Sequence, residues 1–330
     1  MPFETAEQLK RLDAKLRWEL GAFVVEALEN SEVLEICVTS DGRVWLEEKT
    51  RRLYDTGEKM PRENLLAALG TIAAMNGAEL NESTPILEGV LPLDGSRVEG
   101  TVQPITPDGP SMAIRKHASA IFPLSQYIEE GRITRDAADY LREAIRDEKN
   151  ILVAGGTSSG KTTFTNALIL ELLEIAPQDR LIVIEDTKEL QCATDNKQSF
   201  VSTETVSMRK LLKTAMRYRP DRIIIGEVRG GEALDLLKSW NTGHPGGLAT
   251  VHANNAAAAL LRLEQLILEV ARNPMSSLIA EAVHIVVYMK EFGKIGRQVT
   301  EIIRVAGYRE GEYQYEAVYE LNARGERKNG

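Results

Sequence analysis

The apolar pattern changes character partway along the chain. Leu9, Leu12, Leu16, Leu20, Phe23 and Ala27 recur at helical spacing, and Leu65, Leu66, Leu69, Ile72 and Ala73 do so again. Between these two amphipathic helices lie two β-prone runs, Val33 to Val38 and Arg43 to Glu47. Asp41-Gly42 separates the runs and signals a hairpin, because both residues tolerate positive φ. Strands punctuated by Gly and Pro follow from Ile86 to Gln103. Thr106-Pro107-Asp108-Gly109-Pro110 reads as a turn, and Ser111 to Lys116 returns as a strand. The mixture predicts a small α+β domain over residues 1–122. Pro123 and Gly131 both interrupt regular structure, which predicts a linker over 123–134.

From residue 150 onward, short fully apolar runs replace the alternation. Asn150 to Ala154, Leu181 to Ile184, Ile223 to Ile225, Leu248 to Val251 and His284 to Tyr288 read as buried strands. Helical spacing lies between them, at Met208, Leu211, Leu212 and Ala215 and at Leu260, Leu263, Leu266, Ile267 and Val270. Apolar strands alternating with helices predict an α/β domain over 135–330, with a mainly parallel sheet covered on both faces. Gln298 to Val305 and Tyr313 to Tyr319 flank Glu310-Gly311 and predict an antiparallel addition at the sheet edge.

Composition narrows the partners. The 330 residues carry a net charge of -9. That balance argues against a protein whose main task is gripping nucleic acid, since phosphate contacts need clustered Lys and Arg. The two cysteines, Cys37 and Cys192, form no C-x-x-C pair and so build no cysteine zinc site. No apolar run reaches the ~18 to 20 residues that span a bilayer. The N-terminus Met1-Pro2-Phe3-Glu4 lacks a signal peptide's basic and apolar regions. The expectation is a cytoplasmic protein, with membrane association no more than peripheral.

Four segments carry candidate chemistry. Gly155-Gly156-Thr157-Ser158-Ser159-Gly160-Lys161-Thr162 fits G-x-x-x-x-G-K-[ST] and lies between a predicted strand and a helix opening at Thr163. A glycine-rich turn into a helix N-terminus cradles phosphate with backbone N–H groups, so the chain is expected to bind a nucleoside triphosphate. Lys161 is placed to reach the β- and γ-phosphates, and the Thr162 hydroxyl to ligate Mg²⁺. The second segment, Arg222 to Glu227, is an apolar strand ending in a carboxylate, read as one residue past the strand. Glu227 there suits activation of water and indirect metal binding.

In the third segment Glu185 and Asp186 follow a buried strand. Glu185 could orient Mg²⁺ or water, or it could cap local backbone; the residues alone leave both open. The fourth runs from Thr242 to Asn254 with a histidine near each end, His244 and His252. His252 follows a predicted strand and is a candidate γ-phosphate sensor, with a plain surface histidine as the alternative. A zinc reading of the two histidines is weak.

In this order and spacing, the four segments resemble the Walker A, Asp box, Walker B and His box of the secretion-ATPase superfamily of P-loop NTPases. Arg219-Pro220-Asp221-Arg222 to Arg229-Gly230 and Asn241-Thr242-Gly243-His244-Pro245-Gly246 are similar to its type IV secretion and conjugal-transfer branch, the TrbB-type ATPases. The resemblance is strong over residues 150–290. Before them it is looser, through Asp94-Gly95-Ser96-Arg97 and Met112-Ala113-Ile114-Arg115-Lys116.

The resemblance implies a RecA-like motor domain behind the N-terminal domain, with ATP between them and Mg²⁺ as cofactor. It further implies a homohexameric ring that works with inner-membrane components of a secretion or conjugation apparatus. Arg97 and Arg115 occupy positions from which such arginines reach the phosphates; their alternative is two ordinary strand arginines facing water. Two cysteines exclude the four-cysteine module of the type II branch, and Gly230 stands where the pilus-retraction branch has Asp. The function expected is a Mg-dependent ATPase that energises conjugative type IV secretion or pilus assembly. A RecA-like nucleic-acid motor, a pilus assembly or retraction ATPase and a non-hydrolysing assembly switch are the alternatives.

Overall fold

The structure is a computed structural model that describes residues 6–116, 121–203, 205–292 and 295–321. It divides into two compact units, Met1–Ser119 and Ala120–Gly330.

The first unit runs α1 (Ala6–Glu29), β1 (Val33–Val38), β2 (Arg43–Glu48), β3 (Arg51–Lys59), α2 (Arg62–Asn76), β4 (Ile86–Val90), β5 (Arg97–Thr101) and β6 (Ser111–Arg115). Its six strands form one sheet in the order β3-β2-β1-β6-β5-β4, every neighbouring pair antiparallel. Alternation along the strands sends Ile36, Val38, Val98 and Ile114 into a core with Leu16, Leu20, Leu65 and Leu69 of the two helices. Gly100 lets β5 pass close under α2, since a Cβ there would lie 2.2 Å from Leu69 Cδ2. The first helix is broken at Gly21 (φ 79°, ψ 160°), so its core face beyond the break is Val24, Ala27 and Leu28. The strand β3 was not legible in the sequence. It is an edge strand with mostly exposed residues, and edge positions require no apolar alternation.

The second unit runs α3 (Leu124–Glu129), α4 (Arg135–Arg146), β7 (Ile151–Gly155), α5 (Lys161–Ile175), β8 (Leu181–Glu185), β9 (Lys197–Val201), α6 (Met208–Ala215), β10 (Arg222–Val228), α7 (Glu232–Asn241), β11 (Leu248–His252), α8 (Ala256–Leu268), α9 (Ser276–Ala282), β12 (Ile285–Phe292), β13 (Gly296–Arg309) and β14 (Glu312–Glu320). The stretch 123–134, expected to be a linker, holds α3 and belongs to this unit. Leu124, Tyr127 and Ile133 are buried there with Phe164 and Leu168. Pro123 sits at the N-cap of α3 and Gly131 takes φ 69° just beyond its end, so both residues punctuate a helix.

The sheet order is β14-β13-β12-β7-β11-β10-β8-β9. Strands β12, β7, β11, β10, β8 and β9 are parallel, and β13 and β14 add on antiparallel at the β12 edge. Successive residues face opposite layers. Leu152, Ala154, Ile182, Ile184, Ile223 and Ile225 pack with α6 to α9, while Ile151, Val153, Leu181, Val183 and Ile224 pack with α3 to α5. Burial on both faces is why these strands read as unbroken apolar runs. Strand β9 and helices α4, α7 and α9 were not anticipated. For α4 the signal exists in the Thr134 cap, which accepts from Ala137 N, and in Ala137, Ala138, Leu141, Ala144 and Ile145 on one buried face.

Asn150 and Gly247 set the strand register at the end opposite the candidate site. Buried Asn150 accepts from Gly247 N at 3.0 Å and donates to Ala282 O at 2.7 Å. Trp240 packs over Gly247: a Cβ there would meet Trp240 Nε1 at 2.0 Å and Ile223 O at 2.5 Å. Gly247→Ala is therefore expected to destabilise the protein by about 1–3 kcal/mol or more, measured by urea denaturation. An unchanged midpoint would show that this contact does not constrain the fold.

Candidate active site

Strand order brings the four segments to one rim of the second sheet. The strands β7, β11, β10 and β8 are neighbours in that sequence. Their carboxyl ends carry Gly155, His252, Glu227 and Glu185 respectively. His252 is the register partner of Gly155. His244 lies before β11, where its Nδ1 is 3.0 Å from Pro220 O ahead of β10. The two histidines therefore occupy opposite ends of one strand, and only His252 reaches the rim.

Residues Gly156 to Ser159 form the loop between β7 and α5, with Ser158 (φ 57°) and the helix N-cap Gly160 (φ 92°) both left-handed. Lys161, Thr162 and Thr163 open α5. Gly155 admits no side chain, since a Cβ would lie 2.4 Å from Ser159 Oγ and 2.6 Å from Met289 O. Lys161 is buried, and its Nζ donates to Gly155 O at 3.0 Å and Gly156 O at 2.9 Å. The same Nζ is 3.5 Å from His252 Nε2.

Glu227 was expected one residue beyond its strand. It lies within β10, which continues to Val228, and the pairing with β11 slips between Ile225 and Val228. An irregularity of this kind re-aims a side chain at a strand end. Glu227 Oε1 is 2.8 Å from His252 Nε2, yet that approach lacks hydrogen-bond geometry, and Oε1 is buried without a hydrogen-bond partner. Glu227 Oε2 accepts from Arg229 Nε at 2.7 Å. Burial and then the Lys161 ammonium lower the His252 pKa, against an opposing pull from Glu227. The imidazole is thus neutral at neutral pH, and its contact with Glu227 is not an ion pair.

Glu185 stands apart from this chain of contacts. It is buried, and its Oε1 accepts from Glu189 N at 2.8 Å and Leu190 N at 2.7 Å. Its side chain lies over Gly226, where a Cβ would be 3.0 Å from Glu185 Cγ. Burial pushes the carboxyl up to about 7, against the two backbone hydrogen bonds that favour its ionised form.

Arg97 and Arg115, in the first unit, are register partners on β5 and β6, and Glu35 of β1 is the next partner of Arg115. The buried residues of these strands, Val98, Met112 and Ile114, alternate with them. Both arginines therefore lie on the sheet face away from the core.

The loop fits a bound polyphosphate. Ser159 Oγ and Glu227 Oε1 are buried polar atoms without hydrogen-bond partners, and Gly156 has nothing within 4 Å of where a Cβ would sit, so the loop backbone is open there. Among the described residues no group of three or more His, Cys, Asp or Glu could hold a metal ion. A divalent ion here would take most of its ligands from phosphate oxygens and water, which is how Mg²⁺ is usually held. Sequence reasoning missed Arg229. It bonds Glu227 and Asp186, and its only sequence signal is its place two residues after Glu227.

A glycine-rich loop between a parallel strand and a helix N-terminus, with a carboxylate two strands away, is the form of a P-loop nucleotide-binding protein. The chain belongs to the type II/IV secretion system protein family, whose sequence profile matches residues 20–303. It is 44% identical over 306 residues to the conjugal transfer protein TrbB of Rhizobium radiobacter, covering 93% of this chain and 94% of that protein. It is 35% identical over 265 residues to the type IV secretion system protein PtlH of Bordetella pertussis, covering 72% and 77%. The ATPase DotB of Legionella pneumophila shares the fold, with a TM-score of 0.63 at 18% identity over 92% of this chain and 83% of that one. So does the pilus retraction motor PilT, solved with bound ADP, at a TM-score of 0.63 and 18% identity over 91% and 83%. Among the described residues no helix is long and apolar enough to cross a membrane.

The raised pKa of Glu185 has a stability consequence. Its folded value of about 7 exceeds its unfolded value of 4.5, so the unfolded chain loses this proton first as pH rises. The stability held by protonated Glu185 is therefore lost as pH rises from about 4.5 through about 7, and the loss levels off above that. Relative to Glu185→Gln, the wild type is expected to lose denaturant stability as pH rises from about 5 to about 8. A stability difference independent of pH would show that Glu185 does not titrate with folding.

Proposed function

We propose that this protein is an ATP-hydrolysing motor that energises a conjugative type IV secretion channel or its pilus assembly. The observation that carries the reading is the contact chain Lys161–His252–Glu227, which joins the first residue of α5 to the ends of the adjacent strands β11 and β10. It occurs in a chain 44% identical to a conjugal transfer protein over nearly its whole length.

In this reading a RecA-like ATPase domain follows a smaller α+β domain. The loop Gly155 to Thr163 receives the triphosphate, and Lys161 leaves the Gly155 and Gly156 carbonyls to pair with its β- and γ-oxygens. The ammonium thus exchanges two neutral acceptors for anionic ones, a stronger pairing. The Thr162 hydroxyl would hold Mg²⁺ directly, with Glu227 and Glu185 acting on it through water. When bound, that ion offsets charge on the phosphates.

Hydrolysis is in-line. Water oxygen bonds to the γ-phosphorus, the bond to the β,γ-bridging oxygen breaks with its electron pair leaving on ADP, and the water proton passes to Glu227 Oε1. Neutral His252, between Glu227 and Lys161, senses whether the γ-phosphate is present. Arg97 and Arg115 supply positive charge to the phosphates. The assembly is a homohexameric ring in the cytoplasm, peripheral to the inner membrane and working with components embedded there.

Lys161→Ala and Glu227→Gln are each expected to lower ATP turnover about 100-fold or more while the fold is retained by circular dichroism. Wild-type turnover in both variants would sink the assignment. Electron microscopy of the nucleotide-bound protein is expected to show six-fold rings, and a monomer would remove the ring from it.

A further inference from the structure

Arg229 has no part in the reaction as set out above, yet its guanidinium binds two carboxylates at the rim. Its Nε lies 2.7 Å from Glu227 Oε2 and its Nη2 lies 2.5 Å from the same oxygen. Its remaining terminal nitrogen, Nη1, donates to Asp186 Oδ2 at 2.6 Å. One guanidinium thus ties the carboxylate of β10 to the loop after β8. Asp186 and the backbone that carries Arg229 are themselves fixed. Asp186 Oδ1 accepts from Thr187 N at 2.8 Å. Glu232, the first residue of α7, accepts from Arg229 N at 2.7 Å and from Gly230 N at 2.8 Å, which holds the backbone that carries the arginine.

The grip on Glu227 is one-sided. Both nitrogens of the fork fall on Oε2, and Oε1 is left buried without a hydrogen-bond partner beside His252. A carboxylate free to rotate would present either oxygen, and each rotamer would aim it differently. Held by Oε2, it presents one oxygen in one direction. Arg229 is about half exposed, so a structural ion pair at this place would add little stability. Its geometric effect on a catalytic carboxylate can be far larger, because small misplacements of reacting groups cost rate steeply.

We propose that Arg229 is a positioning residue for hydrolysis. Anchored on Asp186, it holds Glu227 by Oε2 so that Oε1 alone is offered to the attacking water. This inference rests on the hydrolytic reading given above. Planarity is essential to it: a lysine ammonium carries the same charge but cannot span two carboxylates in a fixed plane.

The test is steady-state ATP hydrolysis by the full chain with Arg229→Ala, Arg229→Lys, Asp186→Asn and the Arg229→Ala/Asp186→Asn double variant, alongside wild type and Glu227→Gln. In Arg229→Ala, kcat is expected to fall about 10- to 100-fold with KM for MgATP within about threefold of wild type. Arg229→Lys, which preserves charge and solubility, is expected to remain within about threefold of Arg229→Ala. The double variant is expected to fall no further than Arg229→Ala alone, because the two residues act through one tether.

Wild-type kcat in Arg229→Ala would overturn the proposal, as would full rescue by lysine or losses that multiply in the double variant. A loss carried in KM, with kcat preserved, would overturn it too, and would make Arg229 a binding residue. Failure of the hydrolytic reading looks different: wild type and Glu227→Gln would then turn over ATP equally.

Discussion

Burial of the second unit's sheet on both faces is the constraint from which the rest follows. Strands β7, β8, β10 and β11 have almost no room for a charged side chain along their length, because each successive residue enters one helical layer or the other. Polar chemistry is displaced to the strand ends. Parallel strands end at the same rim, so Gly155, Glu185, Glu227 and His252 gather there although they span nearly a hundred residues of sequence.

At that rim, electrostatics is handled by pairing within the site. Lys161 rests on two loop carbonyls, Glu227 on Arg229, and Arg229 on Asp186. His252 sits between the cation and the anion and is kept neutral by burial and by Lys161. Ser159 Oγ and Glu227 Oε1 stay buried without hydrogen-bond partners. Buried unsatisfied oxygens cost about 1–3 kcal/mol each. A ligand or water that provides them with partners recovers that cost.

The elements that could be read in the sequence were those whose burial leaves a periodic trace. The central strands and helices α2, α5, α6 and α8 show such runs. Edge strands β3 and β9 do not, because one side of each faces solvent and their residues are mixed. The stretch 123–134 misled for a different reason. Pro123 and Gly131 mark the two ends of a helix as readily as they mark a connector, and only the burial of Leu124, Tyr127 and Ile133 distinguishes the two.

Local chemistry was therefore encoded locally. A glycine-rich turn followed by Lys161 and Thr162 needs only its own backbone to shape a phosphate cradle, and the apolar runs need only their own composition to show that they are buried. Which charged groups touch is another matter, since that depends on strand order. Placing β11 between β7 and β10 brings His252 beside Lys161 and Glu227, and placing β8 next to β10 brings Asp186 within reach of Arg229. No spacing along the chain reveals those neighbours, because crossover connections permute the strands. The same fold sent His244 to the far end of β11 and engaged Glu185 in holding backbone.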